Sequence, residues 1–331
     1  MRLITTNLIS GHVSNDTIDE FEKTILSDSL VRVAIHINPK RFSILFFIYR
    51  LCRKMGLSTI QKTNKRYTFN PLADKKHLFT VMMGLDIYKY RPYGLFTSHK
   101  RSIFLFDTWP CDHEKITQFV TTFKIDHVFV TASQSAVILG SMLGNNSVHW
   151  IPEGINPQAY KHYAFEDKNI DVLAIGRKYD CYHESIVGYL QDEKKIYLYE
   201  KIKGKIIFPS REEFIEGIAR SKISICVPSN ITHPERSGDI ETMTIRYLQS
   251  MVSKCMVVGH APKEMIELFG YNPVVEIDIE NPVEQIDDLL KNYYDYIPLI
   301  EKNFLMVLNH HTWSNRWNQI VECFKNSSLS N

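Results

Sequence analysis

PERSGDIETMTIRYLQSMVSKCMVVG, Pro234 to Gly259, changes character twice along its length. It opens on turn chemistry, Pro-Glu-Arg-Ser-Gly, ending at Gly238. From Asp239 to about Met251 the apolar residues Ile240, Met243, Tyr247, Leu248 and Met251 recur at helical spacing, which predicts a helix. Cys255-Met-Val-Val-Gly259 is a short buried-strand run closed by glycine. Loop, helix and strand together make half of a βαβ unit. The spacing places Glu241 in the first turn and Gln249 just over two turns later, roughly along one face. A helix N-terminus beside a Ser-Gly turn offers free backbone N–H groups and the positive end of the helix dipole. Both favour an anion such as a pyrophosphate.

The flanks carry the same alternation. Upstream, strands are predicted at Leu3–Ile9, Leu30–Ile35, Leu78–Met82, Ile103–Phe106 and His127–Thr131, with helices at Phe42–Met55 and Ser133–Leu143. Gly144 is the expected cap of the latter. Val148 to Ile151 closes this half as a strand, and Pro152, Gly154 and Pro157 make a stiff connector. Downstream, Ile170–Ile175 is a strand running into Gly176-Arg177. Lys195–Tyr199 and Lys205–Phe208 read as extended, Arg211–Arg220 as a helix and Ile223–Val227 as a buried strand. Val274–Ile277 is the expected last strand. Helices follow over Pro282–Tyr294, Pro298–Leu308 and Trp313–Phe324. Strands alternating with helices argue for parallel α/β sheets.

At 331 residues, with 44% hydrophobic and 23% charged residues, the chain suits two domains that each bury a core. The net charge of +2 hides an asymmetry: residues 1–150 hold 19 basic against 11 acidic side chains, and the remainder is net acidic. A basic first half points to an anionic partner there. The six cysteines are scattered without a C-x2-C pair, which argues against a zinc site or a disulfide framework and fits a reducing cytoplasm. Met1 to Ser10 lacks an apolar signal-peptide core, and Ile44 to Tyr49 is far too short to span a bilayer.

Glu241-x7-Gln249, Ser250-Met251 and Cys255-Met-Val-Val-Gly259 resemble the Glu-x7-Glu signature of the GT-B glycosyltransferases, with Gln in place of the second Glu. The resemblance extends over about Ser102 to Trp317. It takes in Trp150-Ile-Pro-Glu-Gly-Ile155 at the domain junction, Ile175-Gly176-Arg177 and His311-Thr-Trp-Ser-Asn-Arg316. The whole is similar to group-1 (family-4-like) transferases of bacterial surface polysaccharides. It implies two Rossmann-like domains facing across a cleft. Residues 1–152 would bind the acceptor and residues 153–311 the nucleotide-sugar, with the last helix, 312–325, packing back on the first domain.

The resemblance also implies roles. Glu241 would bond hydroxyls of the donor sugar, and Gln249 would meet the ribose. An amide both donates and accepts where a carboxylate only accepts, so the substitution alters that contact. On pattern alone, Glu241 is equally a residue that stabilises a helix N-terminus. Ser237, Gly238 and Thr242 flank the helix start and suit a phosphate, or equally a plain cap. Arg177 stands at a strand's C-terminal end, where open α/β sheets bind ligands, and its planar fork suits phosphate. The family's following Lys is Lys178 here, or missing. Phe208 could pack on the nucleotide base, though core packing explains it as well. Asp107, closing Phe-Leu-Phe-Asp, is the leading polar candidate of the first domain, as base or binder for the acceptor hydroxyl, with a turn cap as the alternative. His36, His113 and Glu153 are weaker competitors.

Asp239-x-Glu241 and Asp278-x-Glu280 have the spacing but lack further ligands nearby. The resemblance implies that cations and a helix N-terminus stabilise the leaving diphosphate, so no metal and no cofactor are expected. GxGxxG and Walker A loops are missing, which weakens dehydrogenase and NTPase readings. The expected activity is glycosyl transfer from a nucleotide-sugar to a saccharide or lipid-linked acceptor, in the cytoplasm or at the inner membrane face. A non-catalytic nucleotide-sugar-binding or scaffold protein on the same fold is the alternative. Nucleic acid is not an expected partner; the basic first half is what would favour it.

Overall fold

The apolar runs become the middle strands of two parallel sheets. The computed structural model describes residues 1–5, 16–36, 77–84, 100–144, 147–176, 178–202 and 205–329. The chain falls into two units that part between Pro152 and Glu153. The helix expected over Phe42–Met55 and the polar segment Ser58 to Lys76 lie outside the described residues.

The first unit is built on β1 (Arg2–Thr5), β2 (Arg32–His36), β3 (His77–Met83), β4 (Lys100–Phe106), β5 (His127–Val130) and β6 (Val148–Trp150). They form one sheet in the order β2-β1-β3-β4-β5-β6, every pair parallel. Phe79, Val81, Met82, Ile103, Phe104, Leu105, Val128, Phe129 and Val130 are fully buried. A parallel strand covered on both faces cannot alternate polar and apolar, which is why these stretches read as continuous apolar runs. The helices are α1 (Asp16–Ser27), α2 (His113–Phe123) and α3 (Ser133–Leu143). In α2 the residues Ile116, Phe119, Val120 and Phe123 make the buried stripe. α3 keeps its expected bounds and ends on Gly144, which is left-handed at φ 62° and returns its N–H to Gly140.

The second unit carries β7 (Ile170–Ala174), β8 (Tyr197–Tyr199), β9 (Ser221–Cys226), β10 (Met256–Gly259) and β11 (Val275–Glu276), in the order β11-β10-β9-β7-β8, again all parallel. Its helices are α4 (Asp180–Asp192), α5 (Arg211–Ala219), α6 (Ser229–Thr232), α7 (Pro234–Ser237), α8 (Ile245–Val252), α9 (Lys263–Phe269), α10 (Pro282–Lys291), α11 (Ile297–His310) and α12 (Trp313–Leu329). Ser210 and Glu213 close a capping box at the start of α5. Buried Lys168 donates to the carbonyls of Ala219, Ser221 and Ser253, tying α5, β9 and the end of α8 together. Burial lowers its pKa.

Two expectations change. Lys205–Phe208 forms no strand among its described residues. The expected helix over Asp239–Met251 is interrupted: α7 is one turn, residues 239–244 are non-helical, and α8 begins only at Ile245. Tertiary acceptors explain the late start. Glu264 takes the Met243 N–H at 2.8 Å and the Thr242 hydroxyl at 2.7 Å, and Glu153 takes the Ile245 N–H at 2.9 Å. Ile240 and Met243 are still buried, so a loop pressed into the core mimics the helical spacing. Among the described residues, no helix is long and apolar enough to cross a membrane.

Candidate functional site

In the second sheet β7 is flanked by β8 on one side and β9 on the other, so the strand order reverses between β7 and β9. Open α/β sheets bind ligands outside the strand C-termini at such a reversal. Arg246, the second residue of α8, reaches this point. Its Nη1 donates to Ile175 O at 3.0 Å and its Nη2 to Val227 O at 3.3 Å, the carbonyls just beyond β7 and β9. Gly176 shapes the turn beside it: its φ of +74° is a conformation that favours glycine, and Arg246 packs against it. Lys178 stands over the ring of Tyr199 at the end of β8, 5.7 Å from its centroid.

Glu241 lies farther along the same edge. Its Oε1 is 3.0 Å from Nε2 of His260, the first residue after β10. The other ring nitrogen of His260 is 3.1 Å from Oε2 of Glu276, which ends β11 and also accepts from Ala261 N and Asn272 Nδ2. The Glu241 side chain is 14% exposed and that of His260 43%, so the carboxylate is held from the protein side by a more open imidazole. Tyr247 pins the strand ends below by donating to the carbonyls of Cys226 and His260. Burial pushes its phenol well above the usual range.

The remaining expected residues are placed differently. Thr242 is buried with its hydroxyl committed to Glu264. Ser237 is fully buried and donates to His233 O. Gly238 follows at φ 53°. Gln249 is 5% exposed and donates through Nε2 to Tyr160 OH at 2.9 Å. Phe208 packs on α5, its ring lying so close to Gly217 that a Cβ there would meet it at 2.2 Å. Arg177 lies outside the described residues.

In the first unit Asp107 directly follows β4 with a left-handed φ of 50°, a conformation uncommon outside glycine. Such outliers cluster at functional sites. His113 faces Thr108 O at 3.1 Å and is buried. Glu153, at the head of the second unit, is buried with its carboxylate on the first N–H of α8. The anion that sequence reasoning placed at a helix N-terminus is thus supplied, at α8, by the chain itself. The side chain of His36 is outside the described residues.

Arg246, His260 and Glu276 escaped the sequence reading. A histidine immediately after a strand-closing glycine was the available signal for His260. Among the described residues, no group of three or more His, Cys, Asp or Glu side chains is placed to hold a metal ion. Asp278 of the Asp278-x-Glu280 pair accepts from Asn281 and Glu280 backbone N–H groups, which hold its carboxyl below the usual range.

Two parallel sheets, with polar side chains gathered on the C-terminal edge of the second, invite comparison with solved structures. Sucrose-phosphate synthase from Thermosynechococcus elongatus superposes with a TM-score of 0.59 at 10% identity, covering 100% of this chain and 99% of its own. The fold is GT-B. HepE of Anabaena, crystallised with UDP-glucose, gives a TM-score of 0.55 at 9% identity over 98% of this chain and 99% of its own. A point mutant of S. aureus TarM, crystallised with fondaparinux, α-GlcNAc-glycerol and UDP, gives 0.50 at 12% identity over 74% of this chain. This chain spans about half of TarM, 55% of its length. No protein-family model and no curated protein sequence matches the chain.

Proposed function

We propose that the chain is a glycosyltransferase that moves a sugar from a nucleotide-sugar to a saccharide or lipid-linked acceptor in surface polysaccharide synthesis. The observation that carries this is the position of Glu241. The residue that the GT-B signature assigns to the donor sugar stands on the C-terminal edge of the second sheet, partly exposed and held by His260. The complexes of HepE with UDP-glucose and of TarM with UDP support a nucleotide-sugar as donor.

In the proposed reaction the bond between the anomeric carbon and the diphosphate oxygen breaks, its electron pair leaving with the diphosphate. The acceptor oxygen bonds to the anomeric carbon and gives up its proton. Residues 153–311 take the donor and residues 1–152 the acceptor, with Asp107 as the base or binder of the acceptor hydroxyl. Arg177, Lys178, Ser237, Gly238, Thr242, Gln249 and Phe208 remain the proposed surroundings of the donor. Ser237, Thr242, Gln249 and Phe208 act through the packing described above. Cationic side chains neutralise the leaving diphosphate, and neither metal nor cofactor is required.

A panel of nucleotide-sugars tests the reading. The matching donor, at about 100 times its dissociation constant, adds roughly 2.7 kcal/mol of stability and raises the melting temperature. Stabilisation by none of them sinks it. Stabilisation without hydrolysis or transfer supports the non-catalytic binder instead, a reading favoured by the engagement of Gln249 with Tyr160.

The basic first half supports a cytoplasmic enzyme working at the inner membrane face. Lys40, Arg41, Arg50, Arg53 and Lys54 bracket the predicted helix Phe42–Met55. Each basic residue near anionic lipid is worth about 1 kcal/mol. The protein is expected to sediment with anionic vesicles at low salt, to be released as salt rises, and to ignore neutral vesicles. Failure to bind anionic vesicles at low salt removes the membrane contact and leaves the transferase reading standing.

A further inference from the structure

We propose that Arg246 holds the donor's diphosphate at the strand-order reversal between β7 and β9. The proposal rests on the nucleotide-sugar reading and adds a residue that the Glu-x7-Glu pattern does not assign. Three observations carry it.

The first is position. Arg246 bridges β7 and β9 at their C-terminal ends, through the carbonyls just beyond the two strands, whereas Lys222 of β9 pairs with Asp171 near the start of β7. That is where an open α/β sheet binds a ligand.

The second is donor arithmetic. A guanidinium carries five N–H donors in a rigid fork. The bonds to Ile175 O and Val227 O hold the fork by its two Nη groups and leave further N–H donors on a half-buried group. A fork already oriented by the protein loses little entropy on meeting a phosphate.

The third is the set of polar atoms left over on the segment that joins β9 to α8. Asn230 Oδ1, His233 Nδ1 and Thr244 Oγ1 are buried without a hydrogen-bond partner. All three belong to the connection between one wall of the reversal and the helix that presents Arg246. Buried polar atoms are ordinarily paired, so three orphans on the connection that leads from β9 to the helix of Arg246 fit a place that a polar ligand completes. A diphosphate with its ribose supplies acceptor oxygens for the guanidinium and hydroxyls for the orphans. Glu153 already occupies the first N–H of α8 and sets a negative charge at that helix end, so a cationic side chain such as Arg246 is the better-placed source of positive charge for the ligand.

Calorimetry on the full chain tests this with UDP, ADP, GDP and dTDP. Ligand-observed NMR with the corresponding nucleosides reports binding without phosphate. Wild type is expected to bind one of the diphosphates. Arg246→Ala is expected to weaken that diphosphate by about 10- to 100-fold, the size of a lost charge-assisted pair, while nucleoside binding stays within about 2-fold. Arg246→Lys should recover only part of the loss, because a point charge replaces the fork. Should Arg246→Ala not fold, the Lys variant carries the same comparison of diphosphate against nucleoside. Unchanged diphosphate affinity in the folded variants overturns the proposal, and so does an equal loss for diphosphate and nucleoside, which makes Arg246 only a tie between β7 and β9. If wild type binds none of the four diphosphates, the nucleotide-sugar reading itself falls and this proposal with it.

Discussion

Glu241→Ala should lower glycosyl transfer by about 100-fold or more while leaving the affinity for the free nucleoside diphosphate within a few fold. A carboxylate that accepts from two sugar hydroxyls makes charge-assisted hydrogen bonds of about 1.5–3 kcal/mol each, and losing both removes at least two powers of ten. The diphosphate itself carries no sugar and should not register the change. His260 meets the carboxylate at Oε1 and fixes its orientation on the sheet edge. Glu241→Gln keeps the acceptor oxygen but loses the charge, so it should fall between wild type and the alanine variant. His260→Ala should mimic a fraction of the effect by letting the carboxylate swing. The measurement is steady-state transfer alongside calorimetry with the diphosphate on folded variants. Parallel loss of both would make Glu241 a strut for the β10–β11 edge and would remove it from the sugar contact.

The fold was legible because parallel strands buried on both faces announce themselves. Ile103–Phe106 and Ile223–Val227 are unbroken apolar runs or nearly so, and each maps onto a central strand, β4 and β9. Ser133–Leu143, bounded by Gly144, emerged with its bounds intact. Helices α1, α2, α4 and α9 are not among the predicted elements. The buried stripe of α2 lies at regular helical spacing, but the helix is rich in Thr, Val and Phe, poor helix formers. In α4 only Tyr182, Ile186 and Leu190 are buried, a stripe too thin to stand out among polar neighbours.

The site was less legible, and the reason is distance along the chain. Arg246 owes its place to carbonyls 71 and 19 residues away, and Glu241 to a histidine 19 residues away. Nothing local in Thr-Ile-Arg-Tyr-Leu distinguishes a guanidinium pinned between two strand ends from one waving in solvent. The late start of α8 has the same origin, since Glu153 and Glu264 claim backbone donors from outside the stretch. Local spacing can locate a buried face; it cannot say whether a loop or a helix delivers it.

Acid should destabilise the second unit through His311, beginning near pH 6.5. His311 is 2% exposed, with its ring stacked on Phe269 at a centroid distance of 4.5 Å. Its Nδ1 accepts from Arg316 Nη2 at 2.7 Å. A proton on Nδ1 would face the guanidinium and abolish that acceptor. Burial, and after it the charge of Arg316, lower its pKa from 6.5 to about 3. The sign follows from proton counts. Between pH 6.5 and about 3 the unfolded chain binds a proton at this residue and the folded chain does not. Stability from His311 is therefore complete above pH 6.5 and lost as pH falls through that window. At about 1.4 kcal/mol per pH unit, the loss reaches on the order of 2–3 kcal/mol by pH 4.5. Carboxylates also titrate near the bottom of this range, so the diagnostic quantity is a difference between proteins. His311→Asn cannot take the proton. It should start less stable at pH 7.5, through the lost stacking, and then lose less than wild type on acidification to pH 5. Urea unfolding at the two pH values gives both numbers. If wild type and His311→Asn lose the same stability between them, His311 does not supply the acid limb, and the loss belongs to other titrating groups.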